Sequence, residues 1–593
     1  MLRFVRGQAT LFQAPFLCAV RLNSSTAGEP TAPRKMQIAV VGSGPSGCFI
    51  ANYLTKKNPN VHVDIYERLP VPFGLCRYGV APDHPDVKNV ENQFMEMFQS
   101  GRVTWIGNIT VGKEIPVNEL LNHYGAVVLS TGAEGSKNLN IEGEDLGNVL
   151  SARDFVNYYN TFPFPYGSPR FCPFDISKVK KATIIGNGNV AMDVARVLAA
   201  DYKYFCPTDM NAAAVKEFMK NRITEVNVVG RRGPEHSAFA IAEFREMTKY
   251  QPETVTVGVD PFDLAKCTAV LGAGRNSRAQ TRLMELVHQF AISPEQMQEE
   301  LRQYASTAAG EPLQTAASTA TGLSPASTSQ VRPPCSVRFR YHLKPIKFIP
   351  NPHRKNYVGG VLYERTDVSP DAPESERYVV EPCDVVLKSV GYRSDLVRGV
   401  PFDEQRGIIP NEKGRVEGCP RLYCSGWVKN GAKGVILHSV VDAQETVQSI
   451  VEDLEQHVIP SEAAEEGKEG PTMFGKYGLV DYFVAKKLEP VSVSGLNRIF
   501  HTEKERGVDL GKRLEKVDNV RDMLDIALGG EVGKKVHDRV RGITPSRPEA
   551  MLYLKELLDD DTDLAPLAKE LAREVPHTLA ERHPTGRLSP SQL

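Results

Sequence analysis

Residues 37–57 read QIAVVGSGPSGCFIANYLTKK, and this stretch decides the fold. A short apolar run, typical of a buried strand, leads into a G-x-G-x-x-G motif formed by Gly42, Gly44 and Gly47, and a helix is predicted to follow. These glycines allow a tight turn, a close approach of backbone to a pyrophosphate and close helix–strand packing. The next predicted strand, VHVDIYER, places Glu67 at its end, 25 residues after Gly42. This is close to the spacing expected for an acid that binds a ribose hydroxyl, so the pattern predicts a Rossmann-like dinucleotide site; the alternative is a glycine-rich turn without a ligand.

The same pattern returns in KKATIIGNGNVAMDVARVLAA, where Gly186, Gly188 and Ala191 form G-x-G-x-x-A between a strand and an amphipathic helix. The strand that follows, TEVNVVGRR, ends in Arg231 and Arg232 instead of an acid. Two guanidinium groups suit the 2′-phosphate of NADP, whereas a carboxylate would repel it. The alternative is a solvated strand end. Because Arg231 lies 45 residues after Gly186, an additional helix is predicted between the motif and this strand.

The two sites differ in the charge at the end of their second strand. The acid-ended site suits FAD and the arginine-ended site suits NADPH, so electrons would pass from nicotinamide to flavin. At 593 residues the chain is too long for a single hydrophobic core. The sequence therefore predicts an α/β protein with two Rossmann-like domains.

Long colinear blocks between about residues 36 and 460 read VVGSGPSG, DIYERLPVPFGLCRYGVAPDHPDVKNV, VVLSTGAE, GNGNVAMDVARVLA, VVGRRGP, FREM, SVGYRSD and LYCSGWVKNGAKGVI. These blocks resemble the mitochondrial adrenodoxin reductase family, the NADPH:ferredoxin oxidoreductases whose bacterial relatives are of the FprA type. The resemblance implies an NADPH domain inserted into a discontinuous FAD domain. The implied segments are the FAD domain at 36–142 and 383–470 and the NADPH domain at 143–382. Composition and pattern, outside the resemblance, assign 1–35 to a transit peptide and 471–593 to a partly helical C-terminal extension.

The resemblance also implies which residues contact the cofactors. At the FAD site these are Ser46, Glu67, Leu75, Val111, Trp427, Gly434, Val435 and Ile436. At the NADPH site they are Asn189, Val190, Arg231, Arg232 and Glu243, and Gly434 lies between the two cofactors. The glycines of GWVKNGAKGVI would let backbone approach a flat ring closely, and the indole of Trp427 could pack on that ring.

Proton exchange at the reduced flavin and docking of the acceptor involve further residues of the resemblance. His84 and Glu243 are the candidates for proton exchange, and a purely structural His84 is the alternative. The expected acceptor is an acidic, adrenodoxin-like [2Fe–2S] ferredoxin, which calls for a basic docking face. Its candidate residues are Arg245, Arg275, Arg278 and Arg282, and the alternative is an ordinary solvated helix face.

Composition excludes several other classes of function. The formal net charge of −1 gives no overall attraction to nucleic acid, and the ten cysteines form neither a C-x-x-C motif nor a cluster with metal-site spacing. We therefore expect no metal site, no disulfide chemistry and no nucleic-acid partner. Residues 1–28 contain three arginines and no acid, which is typical of import into the mitochondrial matrix and compatible with peripheral association with the inner membrane. A glutamate-synthase-like flavoprotein and a non-catalytic nucleotide sensor are the competing functions.

Two segments fall outside the Rossmann pattern. Residues 304–335 are rich in Ala, Ser, Thr and Pro, which predicts a disordered insertion in the NADPH domain. Near the C-terminus, RPEAMLYLKELLDDDTDLAPLAKELARE predicts one or two amphipathic helices. The pattern leaves open whether they pack on the rest of the chain, mediate association or contact a partner.

Overall fold

A computed structural model describes residues 36–165, 171–249, 255–261, 278–290, 334–434, 436–460, 473–529 and 547–562, with a few isolated residues besides. The predicted transit peptide, most of the predicted insertion, Arg275 and Val435 lie outside these residues. No helix within the described ranges is long and apolar enough to cross a membrane.

The strands of the described residues form two large sheets and two small ones. In chain order they are β1 (Met36–Val41), β2 (Val61–Tyr66), β3 (Val103–Ile106), β4 (Ala126–Leu129), β5 (Gly135–Ser136), β6 (Val149–Ser151), β7 (Lys181–Ile185), β8 (Glu225–Val229), β9 (Val255–Val259), β10 (Cys335–Arg340), β11 (Leu343–Pro350), β12 (Val358–Arg365), β13 (Tyr378–Pro382), β14 (Val385–Lys388), β15 (Tyr392–Arg393), β16 (Asn411–Glu412), β17 (Arg415–Val416) and β18 (Leu422–Cys424).

Helices connect these strands and cover the sheets. They are α1 (Pro45–Lys57), α2 (Leu75–Tyr78), α3 (Val90–Phe98), α4 (Val117–His123), α5 (Ala152–Tyr159), α6 (Asn189–Ala199), α7 (Ala212–Phe218), α8 (Ile241–Lys249), α9 (Arg278–Gln289), α10 (Glu374–Arg377), α11 (Trp427–Asn430), α12 (Ile436–Glu455), α13 (Val480–Ala485), α14 (Val493–Asp509), α15 (Val520–Ala527) and α16 (Arg547–Leu558). Short 3₁₀ helices lie at Pro85–Asn89, Tyr202–Phe205, Pro234–His236 and Gly475–Leu479.

The first large sheet has the order β16-β17-β18-β4-β1-β2-β3, and its strands from β18 to β3 are parallel. Its central strand β1 is buried at every position but one, as expected for a parallel strand covered on both faces. Helix α1 packs on the sheet beside α12. The sheet combines chain from before residue 130 with chain from after residue 410, so the first domain is discontinuous.

The second large sheet is wholly parallel, with the order β6-β14-β7-β8-β10-β9. Its chain lies between the two parts of the first sheet, and the antiparallel sheet β11-β12-β13 adjoins it. The two-domain α/β architecture predicted from the sequence is confirmed. Strand β14 lies beyond the boundary predicted at residue 382, yet it pairs with β6 and β7, so sheet pairing assigns it to the inserted domain.

Much of the predicted C-terminal extension is part of the first domain. Leu496, Ile499 and Met523, on α14 and α15, are buried in the core that also contains strands β1 to β3. Met551 and Leu554 on α16 are buried in the core on the other face of that sheet. Of the alternatives for the helices predicted near the C-terminus, the structure shows packing on the rest of the chain for α16, and residues 568–593 lie outside the described residues.

Candidate functional site

The loop after β1 forms an open cradle at the N-terminus of α1. Gly42 has a φ of 101°, and a Cβ there would stand 2.5 Å from the carbonyl oxygen of Ser130. A Cβ on Gly47 would stand 2.0 Å from the carbonyl oxygen of Gly42, whereas one on Gly44 would meet nothing within 4 Å. The first and third glycines are thus fixed by close packing, and the second faces free space. This cradle fits a pyrophosphate at the free N–H groups of a helix N-terminus.

Glu67 lies directly beside this cradle, at the end of β2. Its Oε2 accepts hydrogen bonds from the backbone N–H of Ser43 at 2.9 Å and from the Ser43 hydroxyl at 2.7 Å. Its Oε1 accepts the backbone N–H of Leu69 at 3.0 Å. The carboxylate therefore braces the glycine loop, a role that motif spacing did not reveal and that adds to the predicted contact with a ribose hydroxyl.

Three other segments surround the first cradle. A Cβ on Gly426 would stand 2.9 Å from the Cβ of Ser46, which brings the segment before Trp427 against α1. The indole of Trp427 packs on the ring of Tyr392 with 5.6 Å between the ring centroids. Leu75 follows Gly74, and a Cβ added to Gly74 would lie 3.3 Å from the Cα of Gly44. Val111 lies in the loop beyond β3, Gly434 has a φ of 89°, and Ile436 begins α12.

The second cradle repeats the geometry of the first. Gly186 has a φ of 112°, and a Cβ there would stand 2.2 Å from the carbonyl oxygen of Ser389. A Cβ on Gly188 would again meet nothing within 4 Å, and Ala191 is fully buried. Asn189 begins α6, and its Oδ1 accepts the backbone N–H of Ala240 at 2.8 Å. Val190 follows on the same helix and is partly buried against the core of the second domain. This cradle also fits a pyrophosphate.

Arg231 and Arg232 lie at the same edge of the second sheet as this cradle. The backbone N–H of Gly186 donates to the carbonyl oxygen of Val229 at 2.9 Å, two residues before Arg231. Both arginine side chains are exposed. Their backbone is held in place, because the carbonyl oxygen of Arg231 accepts the Thr366 hydroxyl at 2.8 Å. The additional helix predicted from the long spacing is present as α7.

An interdomain seam joins the two domains beside the cradles. We define it as Asp83 and His84 from the first domain and Asp193, Arg196, Glu243 and Glu246 from the second. The Arg196 guanidinium is fully buried and bonds Asp83 at 2.6 Å and Asp193 at 2.8 Å. His84 Nε2 lies 2.9 Å from both carboxylate oxygens of Glu246.

The sequence names His84 and Glu243 as the candidates for proton exchange, and the structure places both in the seam. The hydrogen-bond partner of His84 is Glu246, one helical turn further along α8. Glu243 lies 3.9 Å from Arg196 at its nearest oxygen, and its buried Oε2 has no hydrogen-bond partner among the described residues. An unpaired buried oxygen at this position is compatible with the predicted contact to NADPH. Sequence reasoning missed Asp83, Asp193, Arg196 and Glu246, although the i, i+3 spacing of Asp193 and Arg196 in α6 was a signal.

The seam shifts the pKa of its titratable groups. The hydrogen bond to Glu246 raises the pKa of His84, against the effects of burial and of Arg196. Burial raises the pKa of the Asp193 carboxyl to about 6, although the Arg196 guanidinium opposes this shift. His84, Asp193 and Glu243 bring donor atoms within 4.8 Å of one another, but the charge of Arg196 inside the cluster disfavours a bound cation.

The arginines predicted to dock a partner lie on two adjacent helices. Arg245 is exposed on α8, and Arg278 and Arg282 are exposed on α9. The two helices contact each other, and the ring of Phe290, the residue after α9, packs on the ring of Phe244 with 6.1 Å between the centroids. The structure thus brings these three arginines onto neighbouring helices of the second domain.

The two cradles define a class of protein: a two-domain α/β protein with one dinucleotide site in each domain and a buried ionic seam between them. The family model described as an NAD(P)-binding Rossmann-like domain matches residues 40–101. NADPH:adrenodoxin oxidoreductase of Mus musculus, described as mitochondrial, is 39% identical over 502 residues, which cover 83% of this chain and 92% of that protein. NADPH-ferredoxin reductase FprA of Mycobacterium tuberculosis is 33% identical over 84% of this chain and 100% of its own length.

A solved structure of Mycobacterium tuberculosis FprA in complex with NADPH superposes with a TM-score of 0.67 and 32% identity, covering 84% of this chain and all of that one. The chain belongs to the NADPH:adrenodoxin oxidoreductase family, which includes FprA. The resemblance stated from the sequence is confirmed.

Proposed function

We propose that this protein is a flavoprotein that transfers electrons from NADPH through FAD to a ferredoxin. The observation that carries this proposal is the pair of cradles with opposite charge beside them, a carboxylate at Glu67 and two guanidinium groups at Arg231 and Arg232. The names of the relatives, which specify NADPH with adrenodoxin or ferredoxin, support it. FAD, when bound, supplies the conversion of a hydride into two electrons that leave one at a time.

Residues of this chain would bind and orient the two cofactors and would move protons. FAD is held by Gly42, Gly44, Ser46, Gly47, Glu67, Leu75, Val111, Trp427, Gly434, Val435 and Ile436. NADPH is held by Gly186, Gly188, Asn189, Val190, Ala191, Arg231, Arg232 and Glu243. His84, whose Nε2 is fixed by Glu246, would exchange a proton with the reduced flavin, and Glu243 would take part in that exchange through its unpaired oxygen.

The acceptor is a ferredoxin of the [2Fe–2S] type that docks on the second domain. Arg245, Arg278 and Arg282 provide exposed positive charge on adjacent helices, and Arg275 extends this set in the sequence. An acidic partner would be steered to such a face, and added salt would slow the encounter.

The protein acts in mitochondria, as the names of its eukaryotic relatives indicate, and its place there is the matrix. The arginine-rich, acid-poor N-terminal segment supports import. The proposal includes peripheral association with the inner membrane.

The test is NADPH-driven reduction of cytochrome c with and without a mitochondrial [2Fe–2S] ferredoxin, repeated with NADH. The proposal predicts a rate that depends on ferredoxin, prefers NADPH and falls with salt. If NADPH bleaches the flavin and ferredoxin adds nothing, a different acceptor is indicated, as in a glutamate-synthase-like enzyme. If NADPH does not bleach the flavin, the chain is a nucleotide-binding protein without electron transfer.

A further inference from the structure

Asp209 is a buried acid of the second domain that lies outside both cradles and the seam. It follows α6 in the segment that lengthens the spacing between the second glycine motif and Arg231. Its side chain is only 4% exposed. A buried carboxylate is costly unless cations compensate for its charge, so its partners indicate what it does.

Two lysines of the first domain share this carboxylate. The Oδ2 atom of Asp209 lies 2.7 Å from the Nζ of Lys88 and 3.0 Å from the Nζ of Lys516. Both lysine side chains are 2% exposed or less. The Nζ of Lys516 also donates to the carbonyl oxygen of Arg77 at 3.1 Å. One acid of the second domain is thus inserted between the amino groups of two lysines of the first, and we name these three residues the Asp209 anchor.

Backbone contacts surround the anchor and join the same two segments. The Nζ of Lys512 donates to the carbonyl oxygen of Met210 at 2.5 Å. The Glu515 carboxylate accepts the backbone N–H of Ala212 at 3.0 Å, and the Asn211 side chain donates to the carbonyl oxygen of Lys516 at 3.3 Å. Residues 209–212 are therefore held along 512–516, and the contact extends beyond a single ion pair.

Short, regular segments connect the anchor to the seam on both sides. In the first domain, Lys88 belongs to the 3₁₀ helix that begins directly after His84. In the second domain, α6 runs from the phosphate cradle at Asn189 through Arg196 to Ala199, ten residues before Asp209. Its 11 residues span about 16 Å at 1.5 Å per residue. A displacement at the anchor would therefore move the cradle at the other end of α6 relative to the first domain.

We propose that Asp209, clamped by Lys88 and Lys516, is a positioning residue that sets the NADPH cradle at the correct distance from the flavin cradle. The inference rests on the proposed transfer from NADPH to FAD. Hydride transfer requires reacting atoms about 3–3.5 Å apart, and an error of about 1 Å can cost about 100-fold in rate. The anchor acts on this distance and touches neither dinucleotide.

The test compares FAD-loaded Asp209→Asn with the unaltered protein in anaerobic stopped-flow measurements. We expect the rate of flavin bleaching by saturating NADPH to fall by about 10- to 100-fold. The Kd for NADP⁺ should stay within about twofold, because the cradle itself is unchanged. Reduction of the flavin by dithionite should also keep its rate, since that step does not involve the second domain.

Hydrogen exchange gives a readout that is independent of turnover. In Asp209→Asn without NADPH, the amides of 207–212 and 512–517 should exchange faster, while those of α1 keep their rates. Lys516→Met is the milder second variant, because Lys88 still pairs with Asp209, and we expect a smaller loss of bleaching rate. Asp209→Glu retains the charge and should recover part of the rate lost in Asp209→Asn.

Lys476→Met is the matched control. Lys476 is equally buried and bonds Asp64 at 3.3 Å and Asp560 at 2.9 Å, all within the first domain. The Lys476→Met substitution should lower the Tm of the protein without slowing the bleaching of its flavin by NADPH. The positioning proposal is refuted if Asp209→Asn and Lys516→Met both fold with a lowered Tm but their flavin is bleached by NADPH at the rate of the unaltered protein. If Asp209→Asn does not fold, the bleaching rate of Lys516→Met alone decides. If the unaltered protein is not bleached by NADPH, the proposed function fails, whereas the hydrogen-exchange result still shows whether the anchor joins the domains.

Discussion

Replacing Arg232 by alanine is predicted to weaken NADPH binding and leave NADH binding nearly unchanged. Arg232 follows β8 at the edge of the sheet where the second cradle opens, and its side chain is exposed. Its guanidinium makes no salt bridge to the residues that the structure describes, so none of their carboxylates competes with the 2′-phosphate. The carbonyl oxygen of Arg232 accepts the backbone N–H of His342 at 3.2 Å, which keeps the loop in place after the substitution.

The expected magnitude follows from the bonds that are lost. A hydrogen bond to a charged group contributes about 1.5–3 kcal/mol, which corresponds to about 10- to 150-fold in Kd. The Kd for NADPH and for NADH would be measured by fluorescence titration or calorimetry at fixed ionic strength. The Kd for NADH should change by less than about twofold, because NADH lacks the phosphate that accepts the hydrogen bond.

Arg354→Ala is the matched control, since Arg354 is an exposed arginine of the same domain that stacks on Tyr357 near the opposite edge of the sheet. It should bind both nucleotides like the unaltered protein. Equal losses for NADPH and NADH in Arg232→Ala would refute the assignment of this arginine to the 2′-phosphate. They would indicate instead that the substitution disturbs the cradle.

Three further predictions concern FAD retention, acid stability and docking. Glu67→Ala should release FAD at least tenfold more readily in an equilibrium dialysis assay, because both a ribose acceptor and the brace of the glycine loop are lost. Asp560→Asn should destabilise the protein at pH 7 and about half as much at pH 3 in urea unfolding. Burial favours the neutral acid, but Lys476 lowers the pKa of Asp560 from 3.8 to about 2, so this contribution is present above about pH 4 and is lost as the pH falls towards 2. Arg278→Glu combined with Arg282→Glu should slow ferredoxin reduction by about tenfold or more at low salt, with little effect on flavin bleaching by NADPH.

Each of these predictions has an outcome that contradicts it. An unchanged FAD affinity in Glu67→Ala would show that this carboxylate does not contribute to FAD binding. A stability loss in Asp560→Asn that is the same at pH 7 and pH 3 would show that the ion pair with Lys476 contributes nothing. The double arginine variant contradicts the docking prediction if it reduces ferredoxin as fast as the unaltered protein at every salt concentration. The docking surface would then lie elsewhere.

The cradles could be predicted from the sequence because their chemistry is local. Gly42 and Gly186 require a positive φ, and Gly44 and Gly188 must leave space for a ligand, so residue type and spacing alone identify them. The strand-end charges follow from the same local pattern, since parallel strands β7 and β8 end at one edge.

The seam and the anchor could not be predicted, because they depend on contacts between distant parts of the chain. Glu243 and Glu246 lie three residues apart on one face of α8, and the spacing cannot decide which of them meets His84. Asp209 and Lys516 are separated by more than 300 residues, and neither lies in a motif. The packing of α14 to α16 on the first domain is likewise a tertiary contact that an amphipathic pattern does not specify.

The measurement that tests the central claim most directly is an anaerobic single-turnover titration. One equivalent of NADPH is mixed with the FAD-loaded protein and an excess of oxidised [2Fe–2S] ferredoxin, and the ferredoxin is followed by its visible and electron paramagnetic resonance signals. The proposed function predicts two reduced ferredoxins for each NADPH oxidised, and a far slower reaction with NADH. Oxidation of NADPH that leaves the ferredoxin oxidised would contradict it.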